Sequence, residues 1–409
     1  MSMASGPSGE GRFRPGDPVR GTSQSGVRLY NERLVLSLVR RHRALPKAEL
    51  ARLTGLSPQT ATVIVNQLEA DGLLRKEEPM RGRVGQPSVP FSLNPEGAYA
   101  YGLKVGRRSA DLVLVGFDGK LVQRAHTTYA YPLPERLIAF ARDSVARMDA
   151  TLTEAQLDRV VGLGIGTPHE LWNWAYEVGS PPGALEVWRR TDLRADLAET
   201  LGRPVYVCND ATAACAAELV FGEHGGVLDF LYLFIGSFAG GGLVLNGTLV
   251  PGRAGNAAAL GSMPVPDGAG GVQQLIRTAS LYKLEERLTA AGRTTGWLWE
   301  DPDAWEEAEA ELEAWIAEAA QSLAFTVTAA TAVLDVQAVV LDGAFPARVR
   351  DRLVEAVAAA LDRFDRQGLS PVSVLPGSIG ARAREIGAGC LPLLANFAVD
   401  REVLFKETP

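Results

Sequence analysis

The segment Pro46–Gly72, PKAELARLTGLSPQTATVIVNQLEADG, constrains the fold of this chain more than any other. It predicts two short helices joined by a tight turn. The first helix ends before Gly55, because glycine tolerates the left-handed backbone that commonly follows a helix. The second begins at Ser57-Pro58, since serine is a strong N-cap and proline is favoured at the first helical position. Two helices joined in this way are the layout of a helix-turn-helix.

The second predicted helix has two chemically different faces. Its apolar residues recur at the i, i+3, i+4 and i+7 spacing of one helix face: Ala61, Ile64, Val65 and Leu68. Short polar residues able to reach base edges are assigned to DNA binding: Ser57, Gln59, Thr60, Thr62 and Asn66. We therefore expect this helix to enter a DNA groove. The open alternative is a helical hairpin of some larger fold with a chance polar face.

The flanking segments complete a winged helix-turn-helix. Upstream, NERLVLSLVRRH has the apolar spacing of a third amphipathic helix. Downstream, LLRKEEP and SVPFSLNP predict two strands around the glycine-containing loop MRGRVGQP. Such a loop is a wing, and its DNA-binding side chains are predicted to be Arg81, Arg83 and Gln86.

Charge is divided unevenly along the 409 residues. Residues 1–90 hold 14 Lys and Arg against 8 Asp and Glu, whereas the remainder holds 27 against 40. A basic head on an acidic body suits a polyanionic partner at the N-terminal part only. We expect a flexible tail over residues 1–27, a DNA-binding domain over 28–94 and a second domain over 95–409.

Composition excludes several other classes of protein. The three cysteines are widely spaced and predict neither a disulfide framework nor a thiolate zinc site. No apolar run approaches the roughly 20 residues of a membrane span, and the N-terminus lacks the apolar core of a signal peptide. A cytoplasmic protein without contact to a membrane is expected.

Beyond Asn94-Pro95 the sequence alternates between strands and helices, which is typical of an α/β body. Asp118-Gly119 marks a hairpin, and the chain is predicted to close with a helix from about Ile379 to Leu394. The segments VGLGIGTP, PVYVCNDATAACAAE, IGSFAGGGLVLNG and GRAGNAAALGSMPV follow one another in the body. This order, with the helix-turn-helix before it, resembles the ROK family of repressors, open reading frames and kinases.

The resemblance implies an α/β fold: a winged helix-turn-helix followed by the two lobes of an actin-like, sugar-kinase ATPase. The added head resembles the repressor branch, such as the xylose and N-acetylglucosamine repressors. The kinase phosphate turn DxGGT corresponds here to Lys104–Arg108, and Phe238 replaces a glycine of the second phosphate loop. Asp342 adds a negative charge on the adenosine side. Because phosphate turns need small residues around the anion, neither catalysis nor a nucleotide cofactor is expected.

The resemblance also locates an altered sugar site. The family's NDA segment is intact as Asn209-Asp210-Ala211, but its sugar-reading EIGH segment is replaced by Ala259–Ser262, and the zinc-binding cysteines are missing. No metal is therefore expected. The predicted ligand-binding residues are Asn209, Asp210, His169, Trp172 and Trp174. Two alternatives stay open: Asp210 is a helix N-cap as well as a ligand contact, and the tryptophans pack under a long loop instead.

These features predict a transcriptional regulator of the ROK repressor type that binds double-stranded DNA as a homodimer or homotetramer. The body is expected to sense a small molecule, such as a sugar. Two alternatives remain. One is a sugar kinase with a regulatory DNA-binding head, and the other is a ligand-independent DNA-binding dimer.

Overall fold

The N-terminal part forms the predicted winged helix, which we call the head. The structure is a computed structural model and describes residues 24–79, 88–174, 179–224, 226–300 and 304–399. The described elements of the head are α1 Gln24–His42, β1 Ala44–Pro46, α2 Lys47–Thr54, α3 Pro58–Ala70, β2 Leu74–Lys76 and β3 Pro90–Leu93. The strands form an antiparallel sheet in the order β1-β3-β2. Strands β2 and β3 are the two sides of the wing.

The turn between α2 and α3 has the predicted chemistry. Gly55 takes a φ of 70° after α2, a conformation that costs glycine little. The Ser57 hydroxyl accepts a hydrogen bond from the Thr60 N–H at 3.1 Å, and Pro58 opens α3. The apolar face of α3 is buried as predicted: Ala61, Ile64, Val65 and Leu68. The helix-turn-helix prediction is confirmed.

The first lobe of the body is a mixed sheet covered by helices. Its described strands are β4 Tyr99–Val105, β5 Ser109–Gly116, β6 Leu121–Thr128, β7 Val160–Thr167 and β8 Val205–Asn209. They lie in the order β6-β5-β4-β7-β8, with β4 to β6 antiparallel and β7 and β8 parallel to β4. The helices of this part of the chain are α4 Pro134–Asp149, α5 Glu154–Leu157 and α6 Leu193–Leu201. Leucines of α4 and α6 pack into the core beneath the sheet.

The second lobe repeats this plan. Its sheet strands are β9 Phe230–Ile235, β10 Ala239–Leu245, β11 Thr248–Leu249, β14 Ala338–Gly343 and β15 Ser373–Pro376, and a separate hairpin is β12 Pro264–Pro266 and β13 Val272–Gln274. The sheet order is β11-β10-β9-β14-β15. The remaining helices are α7 Asp210–Phe221, α8 Ile276–Ala279, α9 Leu281–Ala290, α10 Trp297–Glu300, α11 Glu309–Leu334, α12 Ala347–Leu361 and α13 Ala383–Phe397.

Helices α7 and α13 lie side by side between the two sheets. Glycines allow this close approach, because a Cβ on Gly387 would meet the carbonyl oxygen of Ala213 at 1.7 Å. A Cβ on Gly102 of β4 would likewise meet the Gly389 nitrogen at 2.4 Å.

The final helix, α13, begins at Ala383, four residues later than expected. A short 3₁₀ turn over Gly380–Arg382 precedes it.

Helix α11 is the longest described helix. By length and composition it would suffice to cross a membrane. Its buried residues nevertheless belong to the core of the second lobe, and they include Trp315, Ile316, Leu323 and Val327. A core helix passes the same test of length and composition, so this feature is only weak evidence for a membrane span.

The head shares one hydrophobic core with the first lobe. Val35 and Phe91 of the head lie in the same buried cluster as Phe117 and Leu393 of the body. The ring of Phe117 also meets that of Phe397 edge to face, with centroids 4.8 Å apart. Helix α13 therefore reaches from the middle of the body to the head.

Polar contacts reinforce this junction. The Arg33 guanidinium donates to the carbonyl oxygens of Ala395 and Ala398, each at 3.2 Å. The Arg40 guanidinium lies 5.3 Å from the centroid of the Phe117 ring. Burial lowers the pKa of Arg40 to about 10. The two domain boundaries that the sequence placed at residues 27 and 94 stay a prediction.

Candidate DNA-reading face and interlobe cleft

The predicted DNA-reading residues of α3 lie on its solvent-facing side. Ser57, Gln59, Thr60 and Asn66 are exposed, and Thr62 is half-buried. The helix is held from behind by its buried apolar face and from its start by the Ser57 cap. A rigid, capped helix with an open polar face is the geometry required for entry into a major groove.

Several of these side chains already have partners within the head. The Thr60 hydroxyl lies 2.8 Å from that of Ser57, and the Thr62 hydroxyl donates to the Pro58 carbonyl at 2.8 Å. The Asn66 amide oxygen accepts from the Lys47 ammonium at 2.5 Å. The hydroxyls of Thr60 and Thr62 thus hold the first turns of α3 together, and Gln59 and the amide nitrogen of Asn66 retain donors for bases.

Two residues of this face were missed by the sequence reasoning. Val63 is exposed in the middle of α3, and Lys47 lies beside Asn66. Helical spacing alone places Val63 on the same ridge as Gln59 and Asn66. The sequence therefore carried a signal for Val63, but only polar residues were predicted to contact bases. The predicted wing residues Arg81, Arg83 and Gln86 lie outside the described residues, and their role stays a prediction.

A cavity of about 1070 Å³ opens between the two lobes. Three of the predicted ligand-binding residues line it, namely His169, Asn209 and Asp210. Asn209 and Asp210 stand where β8 ends and α7 begins. This is the carboxyl end of a parallel strand, where ligands commonly bind in open α/β sheets.

The predicted N-cap role belongs to Asn209 rather than to Asp210. The Asn209 amide oxygen accepts from the Ala211 N–H at 3.0 Å, and Asp210 is the first residue of α7. One carboxylate oxygen of Asp210 also accepts from the Ala211 N–H at 3.0 Å, and the other lies 3.2 Å from the Arg384 guanidinium. Among the described residues, the buried Nε of Arg384 has no hydrogen-bond partner.

Two tryptophans of the long loop, Trp172 and Trp188, do not line the cavity. Trp172 packs against the core of the first lobe, with the Arg189 guanidinium 5.1 Å from its ring centroid. Trp188 is buried, and its indole N–H donates to the Pro132 carbonyl at 3.0 Å. The side chain of Trp174 lies outside the described part. These positions favour the packing alternative for Trp172, and its assignment to a ligand stays a prediction.

Lys104, the first residue of the altered phosphate turn, belongs to a network of charged side chains. Lys104 is buried, and its ammonium lies 3.2 Å from the Asp111 carboxylate. The same carboxylate meets Arg124 at 2.7 Å and His126 at 2.6 Å. Burial, with the nearby Arg384, lowers the pKa of Lys104. Burial alone would raise the pKa of Asp111, but Lys104, His126 and Arg124 outweigh it and hold that pKa below its usual value.

Of the remaining substitutions, Arg107 and Phe238 line the cleft and Asp342 does not. The Arg107 guanidinium of the first lobe reaches across to Phe238 of the second, 6.0 Å from its ring centroid. Asp342 is buried and accepts from the Tyr232 hydroxyl at 3.2 Å and from the Gly380 N–H at 2.8 Å. Burial raises the pKa of Asp342. Arg107 and Phe238 thus line the cleft, whereas Asp342 is buried and is not among the residues that line it.

Sequence reasoning missed the residues that complete this network. Arg384 could not be found from a motif, because it is 174 positions from its partner Asp210. Arg124 and His126 did carry a signal, since they alternate on one face of β6. Among the described residues, no group of three or more His, Cys, Asp or Glu side chains is placed to hold a metal ion. The expectation of no metal stays a prediction.

A winged helix-turn-helix fused to a two-lobed α/β body with a central cleft defines a class of protein, the sugar-kinase scaffold with a DNA-binding head. Residues 100–393 match the model of the ROK family, and residues 30–83 match that of the MarR family. Since the first match covers more than half of the sequence, the chain belongs to the ROK family. The resemblance inferred from the motifs is confirmed.

Relatives span the chain to different extents. An uncharacterised protein of Sinorhizobium fredii is 28% identical over 385 residues, which are 90% of this chain and 91% of its own. The xylose repressor of Caldicellulosiruptor bescii is 23% identical over 242 residues, 58% of each chain. A solved ROK family transcriptional regulator, a homologue of the E. coli MLC protein, matches with a TM-score of 0.63 and 18% identity over 93% of this chain and 99% of its own. This last likeness confirms the predicted fold.

Proposed function

We propose that the protein is a DNA-binding transcriptional regulator, a repressor, that reads an operator with α3 and senses a small molecule in the interlobe cleft. The observation that carries this proposal is the capped helix α3, whose polar face is open on a head that shares a core with the body. Repressors among the relatives support the same function. The body is thereby a platform that positions and controls the head.

Catalysis is not part of the proposal. A kinase needs a phosphate turn of small residues open to an anion, whereas here Lys104 and Arg107 stand in that turn and the Arg107 guanidinium extends across the cleft to Phe238. Asp342 adds a buried carboxyl on the adenosine side. A carboxylate near a triphosphate is repulsive. The ROK family includes kinases as well as repressors, and these residues favour a body that does not transfer phosphate.

Sensing requires that the cleft and the head are connected, and α13 connects them. Arg384 and Glu385 near its start line the cleft, and Leu393 and Phe397 near its end lie in the core shared with the head. A ligand that binds one lobe arrangement more tightly than another shifts the balance between the two. A displacement of α13 would then move the head. The effector is proposed to be a sugar or a related compound.

Two heads are needed for a two-fold operator. We infer that the protein acts as a homodimer or homotetramer in the cytoplasm, with half-sites about one helical turn or a multiple of it apart. The basic head and acidic body favour contact with DNA at the heads only. The wing would contact phosphates or a minor groove through Arg81 and Arg83.

The test is selection of duplexes from a random DNA pool by the full-length protein, followed by affinity measurements on the double variant Gln59→Ala/Asn66→Ala. Each base contact that is lost should weaken specific binding by about 1–3 kcal/mol. A matched control is Gln367→Ala, an exposed glutamine far along the body, which should bind as the wild type does. Failure to select any sequence, or unchanged affinity in the double variant, would refute the proposal.

A further inference from the structure

The outward ridge of α3 contains an exposed valine. Successive residues of a helix are rotated by about 100°, so positions 59, 63, 66 and 70 form one ridge opposite the buried face. Val63 is 62% exposed, whereas the other large apolar residues of α3, Ile64, Val65 and Leu68, are at most 6% exposed. An outward position in the middle of the predicted reading helix is therefore apolar.

We propose that Val63 reads the methyl group of a thymine in the operator. This inference rests on the proposed DNA-binding function and deepens it. In the major groove the thymine C5-methyl is the apolar group on the base edges, and cytosine lacks it. A β-branched side chain is stiff at χ1, so Val63 presents its methyl groups in a fixed direction.

The neighbouring side chains do not compete with Val63 for contact with the thymine methyl group. The sequence assigned Thr60 and Thr62 to DNA binding. In the structure the Thr60 hydroxyl is bonded to that of Ser57, and the Thr62 hydroxyl is bonded to the Pro58 carbonyl. Gln59, one turn before Val63, makes no side-chain hydrogen bond to any described residue and suits adenine N6 and N7. The ridge thus combines one amide and one apolar reader, which favours A·T pairs at adjacent positions of the half-site.

The test uses the full-length protein and the duplex it selects. Each thymine of one half-site is replaced in turn by deoxyuridine, which removes only the methyl group, and dissociation constants are measured for the wild type and for Val63→Ala. One replacement should weaken wild-type binding about fourfold, as expected for one methyl withdrawn from burial. Val63→Ala should bind the unmodified duplex more weakly and respond to that replacement less than 1.5-fold, by our estimate.

Two controls separate this effect from others. Val333→Ala removes a valine that is exposed on α11 of the body, and it should keep the full response to deoxyuridine. A cytosine at the same position should bind weakly, and 5-methylcytosine should recover the methyl contribution in the wild type only.

The outcomes distinguish this inference from the function on which it rests. If no duplex is selected, the DNA-binding function fails and this assignment fails with it. If a duplex is selected but no thymine is sensitive to loss of its methyl group, only the assignment of Val63 is overturned. The same holds if Val63→Ala retains the wild-type sensitivity. The deoxyuridine scan of the wild type needs no variant, so it stands even if Val63→Ala folds poorly.

Discussion

Glu218 is a carboxyl group buried near the end of α7. It is 1% exposed and accepts hydrogen bonds from the Ser378 N–H at 3.0 Å and from the Ser378 hydroxyl at 2.9 Å. Burial raises its pKa from 4.5 to about 7, although the bonds from Ser378 oppose the rise. Between pH 4.5 and pH 7 the Glu218 carboxyl keeps its proton in the folded protein, whereas in the unfolded chain it has lost it. The contribution of Glu218 to the free energy of unfolding therefore falls as the pH rises from about 4.5 to 7.

Replacing Glu218 with glutamine should remove this fall. The variant Glu218→Gln cannot ionise, so its free energy of unfolding relative to that of the wild type should increase by about 2–3 kcal/mol between pH 5 and pH 8. Urea unfolding of both proteins at pH 5, 6, 7 and 8 measures this difference. A difference that does not change with pH would mean that Glu218 is ionised throughout, and the assigned effect of burial would be wrong.

Individual residues were predictable where local chemistry fixes them. Ser57, Pro58 and Gly55 follow from capping rules, and the structure confirms each of them. Arg384 did not follow, because its place in the cleft depends on how α13 packs against α7 rather than on any local pattern. The same is true of the pairing of Lys47 with Asn66, which depends on the angle between two helices.

At the scale of elements, α13 is the helix on which the packing of the body depends. Gly387 faces the Ala213 carbonyl so closely that an added methyl group would lie 1.7 Å from the oxygen. Because that oxygen belongs to the backbone of α7, the two helices would have to separate. We predict that Gly387→Ala lowers the free energy of unfolding by about 2–3 kcal/mol, despite the better helix propensity of alanine.

The matched control is Gly296→Ala, because a Cβ at position 296 meets no atom within 4 Å. That variant should be neutral or slightly stabilised by the loss of chain freedom when unfolded. Thermal and urea unfolding of both variants provide the comparison. Equal effects of the two substitutions would contradict the close packing of α13 on α7.

Elements with a strong period were predictable, and those shaped by long-range packing were less so. The capping residues of α3 predicted its start correctly at Pro58. The sequence predicted that α13 begins near Ile379. In the structure a 3₁₀ turn comes first, and the α-helix begins at Ala383. Pro392 lies inside α13, although proline is disfavoured within a helix because it has no backbone N–H to donate.

At the scale of the whole molecule, the union of head and body was not visible in the sequence. Val35 of the head and Leu393 of the body fall on opposite sides of the predicted boundary near Asn94 and lie in one core. Residues separated by more than 350 positions meet there, and no local pattern reports such contacts. A common core means that the orientation of the head is fixed by the body, as control of DNA binding from the cleft requires.

The last prediction concerns what the cleft accepts. Because Arg107 reaches across it to Phe238, ATP with magnesium should leave the unfolding temperature unchanged. A sugar, sugar phosphate or aromatic metabolite that fits the cleft should raise it, since a ligand at 100 times its dissociation constant adds about 2.7 kcal/mol of stability. The selected operator duplex is the positive control. An increase in the unfolding temperature with ATP would favour the kinase alternative. If no small molecule changes the unfolding temperature, a ligand-independent DNA-binding dimer is favoured.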